Sequence, residues 1–111
     1  MSQPRLIKKY PNRRLYDTVL SCYVTIDDVR ALITAGGTLH VVEQGSGRTL
    51  TREVLLQVVT AQEQGREARL SEQFLAELIR SYDLTPGAPT ASYLETCLRD
   101  YLAAGGRDPL V

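Results

Sequence analysis

The sequence predicts an α+β fold: a small N-terminal domain of short β-hairpins and two helices, followed by a C-terminal antiparallel helical hairpin. Three observations predict it. Short β-branched and aromatic runs, separated by turn residues, open the chain. Two stretches with helical spacing alternate with these runs. After a polar stretch at 65–70 only helical spacing remains. The domain division is therefore expected at 1–64 and 65–111.

Arg5 to Tyr10 forms a first strand, with Leu6 and Ile7 set among cations. Pro11-Asn12 marks a turn, and Arg14 to Thr18 a second short strand. Cys22 to Ile26 is β-branched and aromatic, so a third strand and a hairpin through Val19-Leu20-Ser21 are expected. Thr25 is suited to capping a first helix, with Asp28 completing a capping box and Asp27 favourable to the helix dipole. Ile26, Val29, Leu32 and Ile33 give that helix an apolar stripe, and Gly36-Gly37 ends it. Leu39 to Glu43 is a further strand, and Gly45-Ser46-Gly47 turns it back on Arg48 to Leu50. Thr51 is expected to cap a second helix with Val54, Leu55, Val58 and Val59 inside. Ser71 caps a third, striped by Phe74, Leu75, Leu78, Ile79 and Tyr82. Thr85-Pro86-Gly87-Ala88-Pro89 breaks the chain before a fourth helix running from Thr90 to Gly105. Its stripe is Tyr93, Leu94, Cys97, Leu98, Tyr101 and Leu102. These apolar faces are wide for a single seam, so they are expected to pack on the first domain or, preferably, to join a second copy of the chain as a dimer or tetramer.

The chain has 111 residues, 43% of them apolar. Such a length buries roughly 65% of its unfolded surface, enough for a core but little for a deep cleft. Cys22 and Cys97 are too few for a disulfide framework or a zinc site, and are expected as reduced core residues. No signal peptide and no long apolar run is evident, so a cytoplasmic protein without a membrane span is expected. Net charge is zero, but its distribution is uneven. Residues 1–16 carry five cations and no acid, which leaves eight cations against thirteen acids in the remainder. A positive head on a negative body suits a polyanionic partner at the head.

The cations Arg5, Lys8, Lys9, Arg13 and Arg14 therefore form the candidate site. Lysine neutralises phosphate, and arginine adds a rigid fork for phosphate or guanine. Asn12 can pair with adenine or phosphate, and Tyr10 and Tyr16 can pack on sugar and donate to phosphate. A basic hairpin is also narrow enough for a major groove. The plainer alternative is a solvated edge hairpin whose lysines discourage aggregation. Single-stranded RNA would instead need exposed aromatic platforms. A further alternative is a non-enzymatic adaptor or scaffold whose basic head binds an acidic protein partner. No enzyme is expected. Gly45-Ser46-Gly47-Arg48 lacks the lysine of a phosphate loop, and His40 has no metal ligands at suitable spacing. Asp27 and Asp28 are adjacent and better explained as helix-capping groups than as an acid–base pair. No cofactor is expected.

The run Leu6-Ile7-Lys8-Lys9-Tyr10-Pro11-Asn12-Arg13-Arg14-Leu15-Tyr16-Asp17-Thr18 resembles the opening signature of the polyhydroxyalkanoate synthesis repressors, also called accumulation regulators. The resemblance continues through Tyr23-Val24-Thr25-Ile26-Asp27-Asp28-Val29 and through 47–57, and so spans about residues 5–62. It implies a bacterial repressor whose N-terminal domain binds double-stranded DNA, with Lys8, Lys9, Asn12, Arg13 and Arg14 carrying that role. It further implies control of granule-coating phasin genes, and release from the promoter on adsorption to a polyhydroxyalkanoate granule surface.

Overall fold

Along Arg5–Lys9 the side chains alternate: Ile7 is buried, Leu6 exposed and Lys8 half-buried. Such alternation marks a strand with one covered face. In the computed structural model this strand, β1 (Arg5–Lys9), is joined by β2 (Leu15–Asp17), β3 (Cys22–Val24) and β4 (Leu39–Glu43). The structure describes residues 3–66, 68–83 and 90–105. The four strands form one sheet in the order β3-β2-β1-β4. β1–β2 and β2–β3 are antiparallel neighbours, as a pair of hairpins requires. β4 instead lies parallel to β1, with Ile7 opposite Val41. The hairpin-based expectation does not contain this pairing. A parallel pair needs a long crossover, here supplied by β2, β3 and the helix α1 (Ile26–Thr34).

Thr25 caps α1 as expected: its hydroxyl accepts from Asp28 N, and the Asp28 carboxylate accepts from Thr25 N. The helix ends where Gly36 takes a φ of +94°, a conformation cheap only for glycine. At Gly37 an added Cβ would stand 2.8 Å from Leu32 Cδ1 and 3.0 Å from Leu32 O, so a side chain there would force Leu32 to shift. After β4, the segment Arg48 to Leu50 returns for a single bridge, Val42 to Thr49, rather than as a full strand. Leu50 is drawn into the core instead, and the helix α2 (Thr51–Glu63) starts there. The N-cap of α2 is Leu50, with no side-chain cap, so the expectation of a Thr51 cap is corrected. The Thr51 hydroxyl accepts from Val41 N at 2.9 Å instead. That donor lies on the free edge of β4, and an unmet buried N–H is costly.

Ile7, Leu15, Leu39 and Val41 from the sheet meet Val29 of α1 and Leu50, Val54 and Val58 of the α2 segment in one core. Both helices therefore cover one face of the sheet, and the other face is left open. The α2 stripe is narrower than expected, since Leu55 and Val59 are exposed. Cys22 and Cys97 are free thiols, but both are exposed, which corrects their expected place in a core. Cys22 lies on an edge strand of only three residues, and Cys97 on a helix whose apolar stripe is largely uncovered.

The chain divides into two compact units, Met1–Arg69 and Leu70–Val111. The second contains α3 (Glu72–Ser81) and α4 (Thr90–Ala103). Ser71 caps α3 by accepting from Phe74 N at 3.0 Å. Phe74 and Leu78 are half-buried, while Ile79, Tyr82, Tyr93, Leu98 and Leu102 are exposed. The expected break at 85–89 lies outside the described residues. Among the described residues, no helix is long and apolar enough to cross a membrane.

Candidate nucleic-acid interface

The basic signature folds as the β1–β2 hairpin, closed by Tyr10 N donating to Arg14 O and Arg13 N donating to Tyr10 O, both at 2.9 Å. Pro11 supplies the fixed φ that starts a tight turn. Asn12 Oδ1 then accepts from Arg14 N at 3.1 Å, so its acceptor shapes the turn. Arg13 has a φ of +68°, the left-handed position of a three-residue hairpin loop. Glycine or asparagine suits that position better than arginine, and strained residues of this kind cluster at functional sites. The Arg13 side chain is exposed at the tip.

Register then places side chains across the open face. Val42, Lys8, Tyr16 and Tyr23 are successive cross-strand neighbours from β4 to β3. Leu6 and His40 pair in the same way along the same face. Tyr10, Tyr16 and Tyr23 form a closed triangle of edge-to-face contacts, with ring centroids 5.4–6.2 Å apart. The Arg14 guanidinium carbon sits 3.8 Å above the Tyr23 ring centre, a cation–π contact. Asp17 and Glu43, the only carboxylates in the described strands, both take the opposite pleat. The open face therefore carries cations and aromatic rings, and none of the strand acids.

The five cations of the head have different surroundings. Arg5 is engaged by Asp17, Nη1 to Oδ2 at 3.1 Å, on the covered side. Burial pushes the Asp17 carboxyl up, but N–H donors from Leu20 and Val19 and the Arg5 charge together hold it below its ordinary range. Lys9 takes the same pleat as Glu43, its partner in register. The Ser46 hydroxyl, outweighing desolvation, and the charges of Arg48 and Lys9 lower the Glu43 carboxyl. Among the described residues, Lys8, Arg13 and Arg14 have no carboxylate partner. The structure thus brings Lys8, Tyr10, Arg14 and Tyr16 to one face with Arg13 at its rim, and sets Arg5 and Lys9 apart. Tyr23, His40 and Val42 belong to this face but are not among the binding residues expected from the sequence. The available signal was the period-two alternation of β3 and β4, which acquires meaning only once the strand order is known. A shallow groove beside the turn is lined by Arg13, Arg14, Tyr23 and Thr25 together with Leu15, Val24, Ile26 and Gln57 of the helix-covered side.

Fold and site together define a small α+β nucleic-acid-binding module, with one sheet face held by helices and the other basic and aromatic. The profile of the PHB/PHA accumulation regulator DNA-binding domain matches residues 6–66. The chain belongs to that family, and these residues are its DNA-binding domain. It is 43% identical over 98 residues to an uncharacterized protein of Allochromatium vinosum, covering 88% of this chain and 64% of that one. It is 44% identical, again over 98 residues, to an uncharacterized protein in the phbA 5′ region of Thiocystis violacea, covering 88% of this chain and 71% of that one. This chain thus spans about two thirds of the length of these relatives. No solved structure matches it.

Proposed function

We propose that this chain is a cytoplasmic, non-enzymatic transcriptional repressor that binds duplex DNA and controls polyhydroxyalkanoate granule and phasin genes. Adsorption to polyester granules would release it from the promoter. The observation that carries the DNA role is the unpaired set Lys8, Arg13 and Arg14 at the one hairpin whose adjoining sheet face lacks the strand acids. Such a surface repels no phosphate, and its rigid hairpin enters a groove without prior ordering. The family membership of residues 6–66 supports the regulatory role.

The test is a gel shift with the promoter fragment of a granule gene. Replacing Arg13 and Arg14 together with Ala should weaken binding at least tenfold, since two phosphate or base contacts are removed. Both side chains are exposed, so the fold should be unchanged. Unchanged affinity in the double variant would remove the site. Release is tested with polyester beads, which should strip the protein from the labelled fragment by mass action. Beads that leave the DNA complex intact would rule out granule-driven release.

A further inference from the structure

We propose that Tyr23 is a positioning residue, and that the Arg14 it carries is the sequence-reading group of the open face, directed at guanine in a duplex major groove. The inference rests on the DNA-binding role proposed above. Arg14 is held differently from the other free cations of the hairpin. Its guanidinium lies 3.8 Å from the Tyr23 ring centre, close to van der Waals contact. The Tyr23 ring is itself braced, by Tyr16 at 5.4 Å and 79° and by Tyr10 at 6.0 Å and 62°. Edge contacts from two sides fix the ring's orientation, and the ring fixes the guanidinium.

A guanidinium lying on an aromatic face keeps its in-plane N–H fork available. Among the described residues, no carboxylate engages this fork. Holding it still before binding removes part of the ordering cost at the moment of contact. Phosphate recognition needs charge but little orientation, and Lys8 and the tip residue Arg13 supply that charge. Orientation matters where two acceptors must be met at once, as at guanine O6 and N7. A braced fork set back on the face suits the second task, and the unbraced cations suit the first.

The test uses the whole chain and a randomised duplex pool. Duplexes enriched by the wild-type protein are compared with scrambled duplexes of equal composition over a range of salt. The wild type should enrich a motif containing guanine. Tyr23→Leu should lower the ratio of affinities for selected over scrambled duplex about five- to a hundredfold, the discrimination expected of one bidentate contact. It should leave the slope of log affinity against log salt unchanged. Tyr23→Phe keeps the ring face and should behave as wild type. Arg14→Lys keeps the charge but loses the fork, and should match Tyr23→Leu; being exposed, it leaves the core untouched. Full discrimination in Arg14→Lys would overturn the inference while leaving DNA binding standing. So would a Tyr23→Leu slope reduced by about one with discrimination intact, which would assign Arg14 to phosphate. A wild-type chain that retains no duplex from the pool would sink both readings.

Discussion

Asp17 is 3% exposed, yet it accepts three hydrogen bonds: from Val19 N and Leu20 N in the β2–β3 turn, and from Arg5. One carboxylate therefore shapes that turn and ties it to the start of β1. Its folded pKa lies below the ordinary value of 3.8. The stabilisation it provides is thus complete above the unfolded value and is lost as pH falls through the lower, folded one. Asp17→Ala should cost about 2–3 kcal/mol at pH 7, because two turn N–H groups and a half-buried Arg5 lose their acceptor. In urea unfolding, part of the acid sensitivity below pH 4 should disappear with it. An equal loss of stability at pH 7 and at pH 2 would show that the charge contributes nothing. Arg13 makes the opposite case. Arg13→Gly relieves the left-handed backbone and should raise stability by up to about 1 kcal/mol. The same change should weaken DNA binding, because the charge at the tip is gone. A variant both less stable and equally tight in binding would contradict both assignments.

At the scale of elements, the sequence discloses what is local. The capping box at Thr25, the Ser71 cap, the glycine stop at Gly36 and the turn at Pro11-Asn12 each depend on residues within four positions. Each was therefore legible from spacing alone. The β1–β4 pairing was not, because it joins strands separated by two others and a helix, and no short-range pattern encodes it. Thr51 shows how such a gap misassigns a residue. As a threonine before a helical stripe it has the form of an N-cap. Once β4 is an edge beside α2, its hydroxyl is the acceptor for Val41 N. The two roles predict different mutant behaviour. Asn is among the best capping residues, so Thr51→Asn would be harmless at a cap. At the β4 edge it should cost about 1–3 kcal/mol, the penalty of a misplaced partner for a buried donor. Thr51→Ser should be close to wild type. Denaturant midpoints for the pair decide between the two roles, and a stable Thr51→Asn would restore the cap assignment. The binding face was half legible for the same reason. Lys8, Tyr10, Arg14 and Tyr16 fall in one continuous signature, whereas Tyr23 reaches Arg14 only through the β2–β3 register.

For the molecule as a whole, the question is how one small basic face serves a DNA-binding regulator. With Arg14 directed at a base, the other unpaired cations of one hairpin, Lys8 and Arg13, engage roughly two phosphates, and this alone gives weak binding that collapses with salt. Pairing two such faces on neighbouring half-sites adds the second contact at high effective concentration. The second unit has the surface to do the joining, since Ile79, Tyr93, Leu98 and Leu102 are exposed on its two helices and Tyr82 is exposed at the end of α3. If it pairs chains, the full chain should show a log–log salt slope of about −3 to −4. A fragment ending at Arg69, the limit of the first compact unit, should show about half that slope. The fragment should also lose its preference for paired half-sites over single ones, while its contacts within each half-site stay the same. Light scattering should find the full chain as a dimer or tetramer and the fragment as a monomer. A full chain that is monomeric in solution, with the same slope as the fragment, would place the joining function outside α3 and α4. Their exposed stripes would then need another occupant.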